Sequence, residues 1–381
     1  MKVGHTFSQL FFFICLSGCV ERLSEVKKNE LDFSEVPETK NDSNVKVLTK
    51  VELGRALFKD ENLSRDRTMA CATCHDLEEG LTDIRDNGVG GATSLGQDGI
   101  TLGDRNSPMI SYIKFTPEFQ FDGVDWRGGL FHDGRAKTML EQAKGPFLDS
   151  SEMQMPSEAS VVERVLENDE YVKSFKSIYG TDIFDQTSGA YNAVADAIVA
   201  FESTEEMSPF DSAFDNGNLS AQELRGQNIF VSARCINCHS GVGPKPLFTN
   251  FTYRNLGLPS NDEVRAINGA SNDEGLLLNP FVNDPAQRGR FRVLSLRNVG
   301  VTAPYMHNGV FKELKTVVHF YNTRDVPGAL NPETGLPWRA AEIPENRVEG
   351  IIGDLGLTNA QEDDLVSFLK SLTDSRFDHL Q

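Results

Sequence analysis

Two five-residue words constrain this chain more than any other feature: Cys71-Ala72-Thr73-Cys74-His75 and Cys235-Ile236-Asn237-Cys238-His239. Each is the C-x-x-C-H pattern in which two thiols form thioethers to a porphyrin and the following histidine ligates its iron. A zinc knuckle built on either word would need a second pair of thiol or imidazole ligands nearby, and neither has one. A redox C-x-x-C is the other alternative. Two copies in one chain favour covalent c-type haem, attached through Cys71/Cys74 and Cys235/Cys238, with His75 and His239 on the irons.

The chain has six cysteines; the two outside these words, Cys15 and Cys19, stand at the extreme N-terminus, so none is left for a disulfide. Thioether attachment takes place outside the cytoplasm, which predicts an export signal. Residues 1–18 fit one: Lys2 near the start and an apolar run, Leu10 to Leu16, too short to span a bilayer. Leu16-Ser17-Gly18-Cys19 resembles a bacterial lipobox, implying cleavage before Cys19 and a lipid on its thiol; an ordinary signal peptide cut nearby is the alternative. The expected location is the periplasm, with a lipid anchor as the one membrane device. Residues 19–48, dense in charge and poor in periodic hydrophobes, read as a disordered tether.

What remains is too long for one core, so two domains are expected, 49–208 and 209–381. Their junction falls in the polar stretch Ser203 to Leu219, with Pro209 and Gly217. A formal charge of -19 argues against nucleic acid and a bare anionic membrane, and permits a basic protein partner. Thr49-Lys50-Val51-Glu52 and Ser220-Ala221-Gln222-Glu223 are capping boxes opening a helix ahead of each haem word, and Thr358-Asn359-Ala360-Gln361 opens the last helix. Tyr171 to Tyr179 and Val194 to Phe201 are helical in period. Further matches between the halves, Arg105-Asn106 with Arg297-Asn298 and His132-Asp133-Gly134 with His307-Asn308-Gly309, point to an internal duplication. No alternating strand pattern stands out. The fold class is mainly α with long irregular loops.

These residues also carry a family resemblance. From 49 to 376 the chain resembles the bacterial di-haem cytochrome c peroxidases, including their MauG branch. The match rests on the paired haem words, Phe131-His132-Asp133-Gly134-Arg135-Ala136, Gln142, Gly145-Pro146, Glu152-Met153 and Thr302-Ala303-Pro304-Tyr305-Met306-His307. The resemblance implies two tandem c-type cytochrome domains, a peroxidatic N-terminal haem and a C-terminal haem that handles electrons.

The resemblance further implies that Gln142 and Glu152 are the distal polar pair, the amide orienting peroxide and the carboxyl moving its proton. Without it, both would pass as ordinary helix-surface residues. Typical members carry a removable histidine ligand in the loop after the first haem word, whereas Asp76 to Asp104 holds neither His nor Met. An enzyme needing no reductive activation is therefore expected. Tyr321 falls where peroxidases carry a methionine ligand to the second haem and MauG an axial tyrosine; His319 and Met306 are the alternative ligands. His132 takes the place of the family's inter-haem tryptophan, with Trp126 as a candidate substitute and a hydrogen-bonded core residue as the plainer reading of His132. Residues Lys114 to Trp126 look inserted. The family's calcium site maps onto the Asn106 side chain and the backbone carbonyls of Thr302 and Pro304.

Three functions follow from these features. The first is reduction of hydrogen peroxide with electrons from a small donor protein, a cytochrome c or a cupredoxin. The second is a MauG-like oxidase drawing electrons from a protein substrate. The third, a plain electron carrier, is disfavoured by an open first haem beside Gln142 and Glu152.

Overall fold

The computed structural model describes residues 45–85 and 87–381. The expected signal segment, Cys19 and most of the tether lie outside the described residues. The described backbone is mainly helical: α1 (Lys50–Phe58), α2 (Cys71–Cys74), α3 (Met139–Leu148), α4 (Glu158–Leu166), α5 (Asp169–Tyr179), α6 (Thr187–Glu202), α7 (Ala221–Ser232), α8 (Asp262–Asn268), α9 (Leu314–Thr323) and α10 (Asn359–Lys370). Two short antiparallel pairs accompany them, β1 (Gln120–Phe121) with β2 (Trp126–Arg127) and β3 (Tyr253–Arg254) with β4 (Phe291–Arg292). No helix among the described residues is long and apolar enough to cross a membrane.

Local chemistry sets the helix starts. The side chains of Thr49, Ser220 and Thr358 accept from the N3 amides of α1, α7 and α10, and Glu52, Glu223 and Gln361 reach back to the cap amides. α5 stops at Gly180, whose φ of 108° ordinary residues avoid. α3 is less obvious, because Gly145-Pro146 reads as a helix breaker. It forms because Thr138 caps it, Pro146 sits near its end, and Ala143 and Phe147 are buried beneath it.

One contact occurs twice. α1 crosses α6 at Gly54, where a Cβ would stand 1.8 Å from the Ala197 carbonyl oxygen, with Phe201 alongside. α7 crosses α10 at Gly226, where a Cβ would stand 2.0 Å from the Asp364 carbonyl oxygen, with Phe368 alongside. Each pair anchors a large apolar cluster: Leu57, Phe58, Phe175 and Ile198 in the first, Phe230, Phe311, Leu365 and Phe368 in the second. The loops after the haem words repeat too. Leu130 bridges Ala136 and Tyr305 bridges Phe311, each around a left-handed residue, Phe131 or Met306, followed by a buried histidine.

The halves interpenetrate at their edges. The final turn, Ser375–Leu380, returns Phe377 to the first cluster, and Phe119 joins Tyr253, Leu276 and Val282. Leu48, at the end of the stretch expected to be tether, is buried, its N–H bonded to Ser174 Oγ at 2.9 Å. The segment from Lys114 to Trp126 makes a short 3-10 turn and the β1–β2 hairpin, on which Trp126 stacks against Phe119 with ring centres 4.8 Å apart.

Candidate active site

Each haem word sits on a tight turn that follows a capped helix. In the first, Cys71–Cys74 forms α2 and the His75 amide bonds the Cys71 carbonyl; in the second, a 3-10 turn over Cys235–Asn237 leads to the same bond from His239 to Cys235. The Nδ1 of His75 lies 3.2 Å from the Leu81 carbonyl and that of His239 lies 3.0 Å from the Phe248 carbonyl. A carbonyl can only accept, so Nδ1 carries the hydrogen and Nε2 keeps its lone pair for a metal. Burial lowers both imidazoles, His239 to about 4, which holds them in the neutral, ligating form.

The two words open onto two cavities. The larger, about 1040 Å³, is lined by Cys74, His75, Arg135, Gln142, Pro146 and Glu152. The smaller, about 300 Å³, is lined by Cys235, Cys238, His239, Met306 and Tyr321. Cys71 lines neither and packs against the first apolar cluster.

Gln142 reaches the larger cavity from α3, whereas Glu152 stands on the turn after it rather than on a helix. That turn is tied down by the Glu152 amide to Asp149 and by the Gln97 amide to the Glu152 carbonyl, at 3.2 and 2.9 Å. Burial, helped by the neighbouring Asp149 and opposed by Arg135, pushes the Glu152 carboxyl up to about 7. A carboxyl there exchanges protons readily at neutral pH. The Phe131-to-Ala136 loop lines the same cavity: Arg135 covers the Phe131 ring at 3.7 Å, and Gly134 is required because a Cβ would meet the Tyr253 hydroxyl at 2.1 Å.

Of the three candidate ligands beyond His239, Tyr321 and Met306 line the smaller cavity and His319 does not. His319 turns instead to Glu362, its Nδ1 2.8 Å from that carboxylate. Tyr321 projects from α9, and burial raises its phenol. Asn106, Thr302 and Pro304, the expected calcium residues, all line this cavity as well. The Asn106 Nδ2 donates to the Ala92 carbonyl at 3.2 Å, which leaves Oδ1 available.

The cavities share a wall. Asn106, Met109, His132, Asp273 and Arg292 line both. His132 is buried, and its Nε2 donates to the Asn106 carbonyl at 2.9 Å; Trp126 lines neither cavity. Two arginines lining the larger cavity were not legible as site residues. Arg105 bonds Asp133 and Asp273, and its only signal was the repeated Arg-Asn pair. Arg292 donates to the Gly129 carbonyl at 2.7 Å while its buried Nε has no partner among the described residues, a donor suited to a haem carboxylate. Nothing in the sequence marked it.

Among the described residues, no group of three or more His, Cys, Asp or Glu side chains is placed to hold a metal ion by itself. The four cysteines of the two words are free thiols, not disulfides. This donor set suits two porphyrins and not a zinc knuckle. The fold and site are those of a di-haem oxidoreductase. Comparison with known proteins agrees: residues 48–219 match the family described as di-haem cytochrome c peroxidase. The chain is 41% identical to the methylamine utilization protein MauG of Paracoccus denitrificans over 86% of this chain and 89% of that protein. It is 33% identical to the cytochrome c551 peroxidase of Pseudomonas aeruginosa over 74% of each. The crystal structure of the diheme peroxidase BthA from Burkholderia thailandensis superposes with a TM-score of 0.77 at 28% identity, covering 87% of this chain and 88% of that one. The chain belongs to the di-haem cytochrome c peroxidase family, and that membership implies two c-type haems.

Proposed function

We propose that this protein reduces hydrogen peroxide to water at an N-terminal haem held by Cys71, Cys74 and His75. Electrons would pass through a C-terminal haem held by Cys235, Cys238 and His239, within two tandem cytochrome domains (49–208 and 209–381). The observation that carries this reading is the meeting of His75, Gln142 and Glu152 around one cavity. The haem iron supplies the redox chemistry when bound. The protein supplies the rest: Gln142 orients the peroxide, and Glu152 takes a proton from one oxygen and returns it to the leaving oxygen. The electron donor in this reading is a small cytochrome c or a cupredoxin.

A second reading is favoured by Tyr321, which lines the cavity of His239 where a thioether would serve a peroxidase. An anionic phenolate favours ferric and higher oxidation states. With Tyr321 on the second iron, the protein would draw its electrons from a protein substrate, as the 41% identity to MauG also suggests. Stopped-flow mixing of the diferric protein with peroxide, followed by a screen of reductants, separates the two. Rapid turnover with a small donor protein supports the peroxidase, while a long-lived oxidised state that such donors fail to discharge supports the oxidase. No spectral response to peroxide would defeat both.

One calcium ion at Asn106 Oδ1 and the carbonyls of Thr302 and Pro304 completes the proposal, with water filling the other positions. Chelation that leaves both haem spectra unchanged would remove it. We also propose a periplasmic lipoprotein anchored at Cys19; unaltered membrane partition of Cys19→Ser would contradict the anchor.

A further inference from the structure

Three tyrosines line the C-terminal cavity: Tyr112, Tyr305 and Tyr321. Burial raises the Tyr112 phenol, so it rests as the neutral O–H form. A neutral phenol that loses an electron becomes a very strong acid, and its oxidation becomes accessible only where a base can take the proton in place. Among the described residues, Tyr112 alone of the three bonds a carboxylate: its hydroxyl donates to Asp374 Oδ1. The same phenol oxygen accepts from the Phe210 amide at 3.1 Å. Asp374 is fixed in turn, accepting at Oδ2 from Asn298 Nδ2 at 2.8 Å and donating its own N–H to Asn298 Oδ1 at 2.7 Å. Burial makes this carboxylate a stronger base than one in water. The guanidinium of Arg297, 5.5 Å from the Tyr112 ring centre, is itself paired with Asp215, so the base in contact with the phenol is Asp374.

We propose that Tyr112 is a redox-active tyrosine that supplies one electron to the cofactor pair, with Asp374 receiving its proton. The proposal rests on the peroxide chemistry above, hydrogen peroxide being the oxidant. The phenol O–H bond breaks, a new O–H bond forms on the Asp374 carboxylate, and one electron passes to the oxidised C-terminal centre, leaving Tyr112 as a neutral phenoxyl radical. One of the two oxidising equivalents of peroxide is thereby moved to the protein, and the other stays on the cofactor pair. A later electron from the donor and the proton from Asp374 restore the phenol. The competing role for the same pair is a staple holding the C-terminal segment against the first cluster.

The test uses the two-haem protein, frozen within milliseconds of mixing with peroxide. Electron paramagnetic resonance is recorded on natural-abundance and ring-deuterated-tyrosine samples, with spin trapping and peptide mapping in parallel. The expected result is a radical signal narrowed by deuteration, trapped on the Tyr112 peptide, absent in Tyr112→Phe and reduced roughly tenfold or more in Asp374→Asn. The asparagine keeps one acceptor oxygen for the Tyr112 hydroxyl but is no base, and its amide nitrogen loses the bond from Asn298, so melting temperature falls under either role and the radical yield is what separates them. Wild-type radical yield in either variant, whatever happens to melting temperature, overturns the proposal, as does trapping at other residues in the wild type, which needs no variant to fold. A haem spectrum that responds to peroxide with no tyrosine signal defeats Tyr112 and leaves the peroxidase reading standing; a haem spectrum that does not respond defeats both.

Discussion

Glu152 owes its chemistry to its surroundings. Because burial lifts its carboxyl to about 7, it is part ionised at neutral pH and can both accept and return a proton. Glu152→Gln should keep both haems bound yet slow the reaction with peroxide by about a hundredfold or more, measured by stopped-flow absorbance. Since the ionised form is the base, the wild-type rate should fall as pH drops through about 7, and the variant's profile should be flat there. Tyr321→Met gives the second prediction: a thioether in place of a phenolate raises the potential of the second centre. A redox titration showing no shift would mean that Tyr321 does not ligate. At this scale the haem words were legible because their chemistry is local: two thiols and an imidazole on one turn. Gln142 and Glu152 were legible only through the family pattern, since neither spacing nor periodicity announces a cavity. Arg292 was invisible, because its place depends on a wall assembled from both halves of the chain.

Helices divide the same way. The boxes at Thr49, Ser220 and Thr358 are read within four residues, and all three helices start where those residues place them. Gly54 and Gly226 look like helix-weakening residues in the sequence, and their purpose lies entirely in the partner helix. Replacing either by alanine forces a Cβ into a backbone carbonyl, so α1 and α6, or α7 and α10, must move apart. Each substitution should cost about 1–3 kcal/mol, seen as a lower urea midpoint. Gly189→Ala in α6 is the contrast: its Cβ would meet Gln186 at 3.8 Å, an ordinary contact, and helix propensity should make it neutral or stabilising by up to about 1 kcal/mol. Equal losses at all three positions would show that close packing is not what the two crossing glycines provide.

The whole molecule depends on how its halves meet, and Arg105 is the side chain through which that can be tested. It donates from Nε and Nη2 to Asp273, at 2.6 and 2.8 Å, and from Nη1 to Asp133 at 2.7 Å. One arginine from the first half thus joins the motif loop before α3 to the segment after α8, beside the wall that both cavities share. Burial alone would raise the Asp273 carboxyl, but its bonds to Arg105 outweigh burial and hold it well below the usual carboxylate range. A carboxyl depressed in the folded state contributes stability above its unfolded pKa, and that contribution is lost as pH falls through the folded value. Arg105→Ala removes the compensating charge and, among the described residues, leaves Asp273 buried without an ion-pair partner and Asp133 with Arg135. The loss should be about 3–5 kcal/mol at neutral pH. In the variant the main opposition to burial is gone and the Gly275 amide is left to hold the carboxylate, so Asp273 is expected to take up a proton at a higher pH than the unfolded chain does, and acidification relieves it. The gap in urea midpoint between wild type and variant should therefore narrow from pH 7.5 to pH 4.5. A gap that stays constant would mean that Arg105 holds the halves together by packing, and that the charge on this shared wall contributes nothing to its stability.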